Sequence, residues 1–98
     1  MRRLVIRDQV IQDLQIAYER YAHVYPALGE RFLNEWEDFC EHLSNYPNSA
    51  ARYRDNIRQG RLSPFPYLIM YELYPEEVVI FAVIHNRQHP TRRTRTKK

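Results

Sequence analysis

The sequence predicts an α+β fold in which a helical hairpin packs on one face of a small β-sheet. Three patterns support this prediction: helical spacing of apolar residues in the first half, strand-like composition in the second half, and turn signals between them. The expected element order is β-α-α-β-β-β, with a short N-terminal strand and a C-terminal antiparallel meander. With 98 residues, the chain is long enough for one hydrophobic core but not for two.

A strand and two amphipathic helices are predicted before residue 46. Residues 4–6 form the short strand, and Asp8 is a candidate N-cap for the first helix. The segment 25–29 interrupts the helical pattern, and a turn signal at residues 46–48 closes the second helix. The first apolar stripe contains Val10, Ile11, Leu14, Ala17, Tyr18, Tyr21 and Val24, and the second contains Phe32, Leu33, Trp36, Phe39, Cys40 and Leu43. One stripe on each helix predicts a hairpin over a shared core.

Three consecutive strands are predicted in the second half of the chain. They span residues 53–62, 66–74 and 78–85, and Pro75 begins a tight connection between the last two. The last strand is an uninterrupted apolar run rich in valine and isoleucine. Such a run is typical of a central strand with both faces covered.

The apolar run ends abruptly in a polar cluster at residues 85–90, which reads His-Asn-Arg-Gln-His-Pro. Because side chains alternate along a strand, we expect His85 to share a face with Phe81 and Val83. Arg87 would join them if the extended backbone continues. The sequence therefore predicts that this strand delivers a cationic, hydrogen-bonding cluster to one edge of the sheet.

Charge is distributed unevenly along the chain. Residues 1–7 carry three arginines and no acid, residues 8–44 carry two arginines and eight acids, and residues 45–98 carry ten basic residues and four acids. This asymmetry predicts an acidic helical side and a basic sheet side. Residues 91–98 hold five of the positive charges and are expected to be a disordered basic tail that follows a domain spanning residues 1–90.

Several classes of protein are disfavoured by the composition. No segment approaches the roughly 18 uncharged apolar residues of a membrane span, and the apolar stretch after Arg3 is too short for a signal peptide. A cytoplasmic location is therefore expected. The single cysteine, Cys40, lies between Asp38 and Glu41, whose charges disfavour a thiolate, so we expect a packed core thiol. The histidines and Cys40 show no zinc-ligand spacing, and no metal or cofactor is predicted.

Six short motifs follow one another along the chain. They are Asp13-Leu14, Leu28-Gly29-x-Arg31-Phe32-Leu33, Asn45-Tyr46-Pro47, Ile57-Arg58, Phe65-Pro66-Tyr67-x-Ile69-x-Tyr71 and Ala82-Val83-x-His85-x-Arg87. With this order and spacing, the chain up to Pro90 resembles the RelE/ParE-type toxins of bacterial type II toxin–antitoxin systems. The resemblance implies a small toxin encoded beside an antitoxin, whose disordered or extended segment wraps the toxin until proteolysis frees it.

The resemblance implies two competing activities. RelE-like members cleave messenger RNA in the ribosomal A site, whereas ParE-like members poison DNA gyrase without cleaving RNA. RNA cleavage needs an acid, a base and cationic groups in one cleft. The tyrosine that many RelE-like members place near their C-terminus has no counterpart, because the last tyrosine is Tyr74, and the lysines of their second strand are missing.

The Phe-Pro-Tyr and His-x-Arg patterns resemble the ParE-like branch more closely. A gyrase-directed toxin is therefore the favoured prediction, with Arg87, His89 and Tyr71 as target-binding residues. The alternative is a ribosome-dependent endoribonuclease. In that enzyme Arg58 and Arg61 would clamp a phosphate, Arg87 would add positive charge, and His85 or His89 would act as acid or base.

Structural explanations remain open for these residues. His85 can cap backbone groups at a strand end, Arg58 and Arg61 can be solvated or paired with acids, and Tyr71 can pack beside Ile69. A third alternative is a nucleic-acid-binding module without toxicity, because thirteen of the fifteen basic residues are arginine.

A partner surface is also predicted. An edge strand, or the groove between hairpin and sheet, is expected to accept an antitoxin segment by strand addition or helix docking, and the basic sheet side predicts that this segment is acidic. Whether the toxin forms a homodimer or only a hetero-oligomer with its antitoxin is left open.

Overall fold

Two helices pack on one face of a five-stranded sheet in the computed structural model, which describes residues 2–88. His89 and the predicted basic tail at residues 91–98 lie outside the described residues. The elements are β1 (Arg3–Ile6), α1 (Asp8–Val24), α2 (Pro26–Asn45), β2 (Ala51–Arg54), β3 (Ile57–Arg61), β4 (Tyr67–Leu73), β5 (Glu77–His85) and a 3₁₀ turn (Asn86–Gln88). The predicted α+β class, with a strand, a helical hairpin and then a meander, is confirmed.

The sheet has one strand more than the sequence predicts. The expected strand at residues 53–62 is instead two strands, β2 and β3, joined by a turn at Asp55 and Asn56. Asp55 has a φ of 50°, in the left-handed region that aspartate tolerates better than most residues. The Arg52 Nε donates a hydrogen bond to the Asp55 carbonyl across the turn (2.9 Å).

The strand order is β1-β5-β4-β3-β2, which makes the sheet mixed. The last four strands form the antiparallel meander, while β1 pairs in parallel with β5 at the opposite edge. The guanidinium of Arg3 forms an ion pair with the carboxylate of Glu77 in this parallel ladder. Because β1 and β2 are the two edges, β4 and β5 are interior strands, as their apolar composition predicts.

The helical hairpin is tighter than its sequence predicts. A single extended residue, Tyr25, separates the helices, and Pro26 occupies the first turn of α2, where its missing N–H costs no hydrogen bond. A Cβ on Gly29 would lie 2.8 Å from the Cβ of Ala22, so the two helices approach too closely there for any larger residue. Helix α1 also begins at Asp8 with Arg7 as its N-cap, so the prediction that Asp8 caps this helix is wrong.

The hydrophobic core lies between the hairpin and the sheet. It is built from Val10, Leu14, Ala17, Phe32, Leu43, Leu62, Phe65, Tyr67, Ile69, Tyr71, Val78 and Ile80. Tyr21 packs against Phe32 and Phe65, with ring centroids 5.4 and 4.9 Å apart. Burial, reinforced by the neighbouring Tyr67, raises the pKa of Tyr21 to about 12.

Cys40 packs against the edge of this core. Burial is the main cause that raises the pKa of its thiol to about 12, and the negative charge of Glu37 adds to it. The thiol is therefore neutral at physiological pH, as predicted for a packed core cysteine, although the acid responsible is Glu37. Across residues 2–88, neither helix combines the length and the apolar character that crossing a bilayer would require.

Candidate functional site

The position of His85 depends on an irregularity in β5. Tyr71 pairs with Ile80 and Met70 pairs with Ala82, so Phe81 is an extra residue in β5 with no partner in β4. Such a β-bulge shifts the alternation of side chains by one residue. Before the bulge Ile80 faces the helices, and after it Val83 and His85 do, because they pair with Ile69 and Tyr67 on that face. The predicted common face of Val83 and His85 is therefore confirmed, whereas Phe81, the third residue predicted on that face, lies at the bulge and has no partner in β4.

A polar cleft opens where this end of β5 meets α1. It has a volume of about 360 Å³. Its walls are Asp13, Ile16, Ala17 and Arg20 from α1, and Tyr67, Val83, His85 and Arg87 from the sheet and the turn that follows it. The α1 residues are spaced three, four and seven positions apart, which puts them on one side of the helix.

Arg87 lines this cleft from a turn and not, as predicted, from a continuation of the strand. The extended backbone stops at His85, and residues 86–88 form a 3₁₀ turn, so Arg87 does not continue the strand face. The Asn86 N–H donates to the Pro66 carbonyl (2.9 Å) and ties this turn to the start of β4. Arg87 and His85 nevertheless line the same cleft.

The imidazole of His85 is oriented by two contacts. Its Nδ1 accepts a hydrogen bond from the backbone N–H of Arg87 (3.2 Å), and its ring meets the ring of Tyr67 edge-on at 5.3 Å. Since Nδ1 is the acceptor, the neutral ring carries its proton on Nε2. His85 therefore has both a structural contact and a remaining donor nitrogen.

Arg58 and Tyr71 serve a structural purpose elsewhere. The two residues pair across β3 and β4 on the helix-facing side of the sheet. The Arg58 Nη1 donates to the carbonyls of Ala50 (2.8 Å) and Asn48 (3.3 Å), and the Tyr71 hydroxyl donates to the carbonyl of Pro47 (2.8 Å). Both side chains thus hold the loop between α2 and β2.

Tyr71 is 0% exposed, so its side chain offers no surface for the predicted contact with a target protein. Burial raises the pKa of Tyr71, although the positive charge of Arg58 opposes this effect. The hydroxyl stays protonated and can donate to Pro47.

Arg61 lies on the opposite face of the sheet from Arg58. A Cβ on Gly60 would lie 2.7 Å from the ring of Phe39 in α2, so Gly60 faces the helices and its neighbour Arg61 faces away. The expected phosphate clamp between Arg58 and Arg61 is therefore not formed. Their spacing of three residues already contained this information, because residues an odd number apart in a strand lie on opposite faces.

The four predicted catalytic residues are thus divided among three places. His85 and Arg87 meet in the cleft, Arg58 contacts the loop before β2, and Arg61 lies on the far face of the sheet. Sequence reasoning missed Arg20 as a cleft residue and noted Asp13 only as part of a motif. Their separation of seven residues, two helical turns beside the buried stripe, was the available signal.

A second concave surface lies on the other flank of α1, and we call it the apolar groove. It has a volume of about 390 Å³ and is lined by Ile6, Ile11, Leu14, Gln15, Tyr18, Leu33 and Trp36. None of these lining residues is charged. Ile11 is 53% exposed and Leu33 is 37% exposed, which is more than a closed core surface would leave.

Comparisons with known proteins agree with this architecture. The chain is similar to a chain of the chromosomal ParDE toxin–antitoxin system from P. aeruginosa, with 18% identity, a TM-score of 0.75, and coverage of 87% of this chain and 96% of that one. It is also similar to a chain of the archaeal RelE–RelB complex from Pyrococcus horikoshii OT3, with 15% identity, a TM-score of 0.59, and coverage of 90% and 98%. At these identities the likeness shows the fold.

No curated protein matches the sequence. A family profile, described as the ParE toxin of the type II toxin–antitoxin system parDE, matches residues 4–90. This match begins within β1 and extends past the turn that carries Arg87, and it includes both the cleft and the apolar groove. The chain therefore belongs to the ParE toxin family of type II toxin–antitoxin systems.

Proposed function

We propose that this ParE-family toxin stops bacterial growth by acting on DNA gyrase, and that a cognate antitoxin neutralises it. The proposal rests on the family match over residues 4–90 and on the placement of the basic side chains. A toxin of this kind acts in the cytoplasm, which is where we place the protein. Gyrase poisoning requires a binding surface, and it does not require an RNA-cleaving set of acid, base and cations in one cleft.

The observation that favours gyrase over RNA cleavage is the separation of Arg58 from Arg61. Phosphate clamping needs both guanidinium groups on one surface, but these two residues lie on opposite faces of the sheet. Arg58 is moreover engaged by the carbonyls of Asn48 and Ala50. Among the predicted residues within the described part of the chain, a ribosome-dependent endoribonuclease would have to work with His85 and Arg87 alone, which makes it the second candidate.

We assign the antitoxin to the apolar groove. A surface lined by Ile11, Leu33 and Trp36, and without a charged lining residue, suits the apolar face of an amphipathic helix. The edge strand β2, with the exposed residues Arg52 and Arg54, offers a separate place for an acidic extended segment to add to the sheet. On this assignment, the antitoxin helix in the apolar groove contributes most of the binding affinity. The acidic segment at β2 contributes most of the dependence of that affinity on salt.

The deciding experiment is induction of the chain in growing bacteria, with pulse labelling of DNA and protein synthesis, followed by a supercoiling assay with purified gyrase. An early stop in DNA synthesis and direct inhibition of gyrase are expected. An early stop in protein synthesis, with cleaved messenger RNA and normal supercoiling, would select the endoribonuclease instead. Coexpression of the antitoxin is the control, and it should abolish either effect.

A further inference from the structure

The cleft between α1 and β5 is rich in hydrogen-bond donors. Arg20 and Arg87 bring guanidinium groups to its walls, and His85 brings its Nε2–H. The carboxylate among the lining residues is Asp13, whose Oδ1 accepts a hydrogen bond from the Gln9 amide (Nε2 to Oδ1, 3.0 Å). Two guanidinium groups against one carboxylate give the lining a net positive charge, which suits an oxyanion.

The apolar part of the lining indicates which anion fits. It consists of Ile16, Ala17 and Val83, and Ile16 is 55% exposed. A ligand that combines an oxyanion with an adjacent apolar group would satisfy both parts. An aspartate or glutamate beside an apolar residue has this combination, and its planar carboxylate matches a guanidinium in a bidentate geometry.

The surroundings disfavour a nucleic acid at this position. Asp13 is part of the cleft wall, and residues 8–44, which form both helices, carry eight acids and only two arginines. A chain of phosphates would extend over this acidic surface and be repelled, because nucleic-acid sites are basic along their whole length. A single carboxylate on a protein reaches the donors without that penalty.

We propose that this cleft is the target-binding site of the toxin, and that it binds one aspartate or glutamate side chain of the target protein together with an adjacent apolar side chain. The inference rests on the proposed function, in which the target is gyrase. Arg20, which belongs to no predicted site, becomes a specificity residue alongside Arg87. Target and antitoxin then use opposite flanks of α1, the cleft and the apolar groove respectively.

The first test does not involve gyrase. The purified chain is titrated with the dipeptide N-acetyl-Leu-Glu-amide and with its neutral isostere N-acetyl-Leu-Gln-amide, and the NMR signals of Arg20 Nε–H, Arg87 Nε–H and the His85 ring are followed. We expect the glutamate peptide to bind about tenfold more tightly than the glutamine peptide, since a charge-assisted pair replaces a neutral contact. Equal binding of the two peptides, or shifts confined to other residues, would overturn the inference.

The second test uses matched charge reversals. Arg20→Glu changes the cleft, whereas Arg31→Glu makes the same change at an exposed position of α2. We expect Arg20→Glu to weaken both glutamate-peptide binding and gyrase inhibition by about tenfold or more, Arg20→Lys to restore part of the effect, and Arg31→Glu to change neither. Retained binding to the antitoxin shows that each variant is folded, because the apolar groove is untouched.

The outcomes separate the two proposals. If the wild-type chain does not inhibit gyrase but still distinguishes the glutamate peptide from the glutamine peptide, the gyrase proposal fails and the carboxylate site stands. If the wild-type chain inhibits gyrase and Arg20→Glu inhibits it equally well, the cleft is not the target-binding site. Tight binding of a duplex oligonucleotide that is lost in Arg20→Glu would replace the carboxylate by nucleic-acid phosphate and overturn the inference.

Discussion

Arg58 and Tyr71 are paired across β3 and β4, and both donate hydrogen bonds to the loop between α2 and β2. The acceptors are the carbonyls of Ala50 and Pro47, which lie between the end of α2 and the start of β2, where side chains commonly satisfy backbone acceptors. Two residues that family resemblance presents as functional therefore build the connection from the hairpin to the edge strand. The consequence is that loss of activity in an Arg58 variant would not identify a catalytic residue.

Arg58→Met and Arg61→Met are expected to differ in stability. Arg58→Met removes the donor to the Ala50 and Asn48 carbonyls and should lower the free energy of unfolding by ~1 to 3 kcal/mol. Arg61→Met, at an exposed position on the far face, should change it by no more than ~0.5 kcal/mol. Urea unfolding followed by circular dichroism measures both, and equal losses would contradict the assignment of Arg58 to the loop.

Tyr71→Phe isolates the hydrogen bond to Pro47. The substitution keeps the buried ring and removes only the hydroxyl, which leaves the Pro47 carbonyl without its donor. We expect a loss of ~1 to 2 kcal/mol in the free energy of unfolding. Tyr74→Phe, at a residue that is 40% exposed, is the matched control and should be neutral within ~0.5 kcal/mol. A neutral Tyr71→Phe would show that the hydrogen bond contributes nothing net.

Stability is expected to decrease at alkaline pH. The folded chain raises the pKa of Cys40 from 9.0 to about 12 and that of Tyr21 from 10.0 to about 12. Above pH 9 the unfolded chain releases the thiol proton while the folded chain retains it, so unfolding becomes more favourable as pH rises towards 12. In Cys40→Ala the decrease in stability should begin only near pH 10, where the unfolded chain starts to release the Tyr21 proton. Urea midpoints measured between pH 7 and pH 10.5 test this, and identical profiles for both proteins would contradict it.

Ile11→Glu is expected to weaken antitoxin binding without affecting the cleft. Ile11 lines the apolar groove, and burying a carboxylate there would oppose the docking of an apolar helix face. We expect the dissociation constant to rise by about tenfold or more, since a buried isoleucine is worth ~1.5 to 3 kcal/mol. Val24→Glu, at an exposed position outside the groove, is the control. Calorimetric titration with the antitoxin gives both constants.

Toxicity provides the complementary measurement for this variant. Ile11→Glu should still arrest growth when expressed alone, and coexpressed antitoxin should no longer rescue it. If rescue is complete in Ile11→Glu, the antitoxin binds elsewhere, and the edge strand β2 becomes the next surface to examine.

Sequence reasoning determined the fold class, the helical hairpin, the interior strands and the family. Periodic apolar residues, Pro26 and the run before His85 are local signals, and the elements they predict form because local spacing decides which faces can be buried. The shared face of Val83 and His85 followed from the same alternation. The same alternation places Arg58 and Arg61 on opposite faces, although the prediction of a phosphate clamp did not take this into account.

Tertiary structure alone decided how these elements meet. The parallel pairing of β1 with β5, the bulge at Phe81, and the meeting of Arg20 with His85 and Arg87 all depend on partners far apart in sequence. The loop contacts of Arg58 depend in addition on where the turn at Asp55 divides the predicted strand. No local pattern encodes such relationships, because the free energy that selects them comes from packing and hydrogen bonds formed only when the whole sheet assembles against the hairpin.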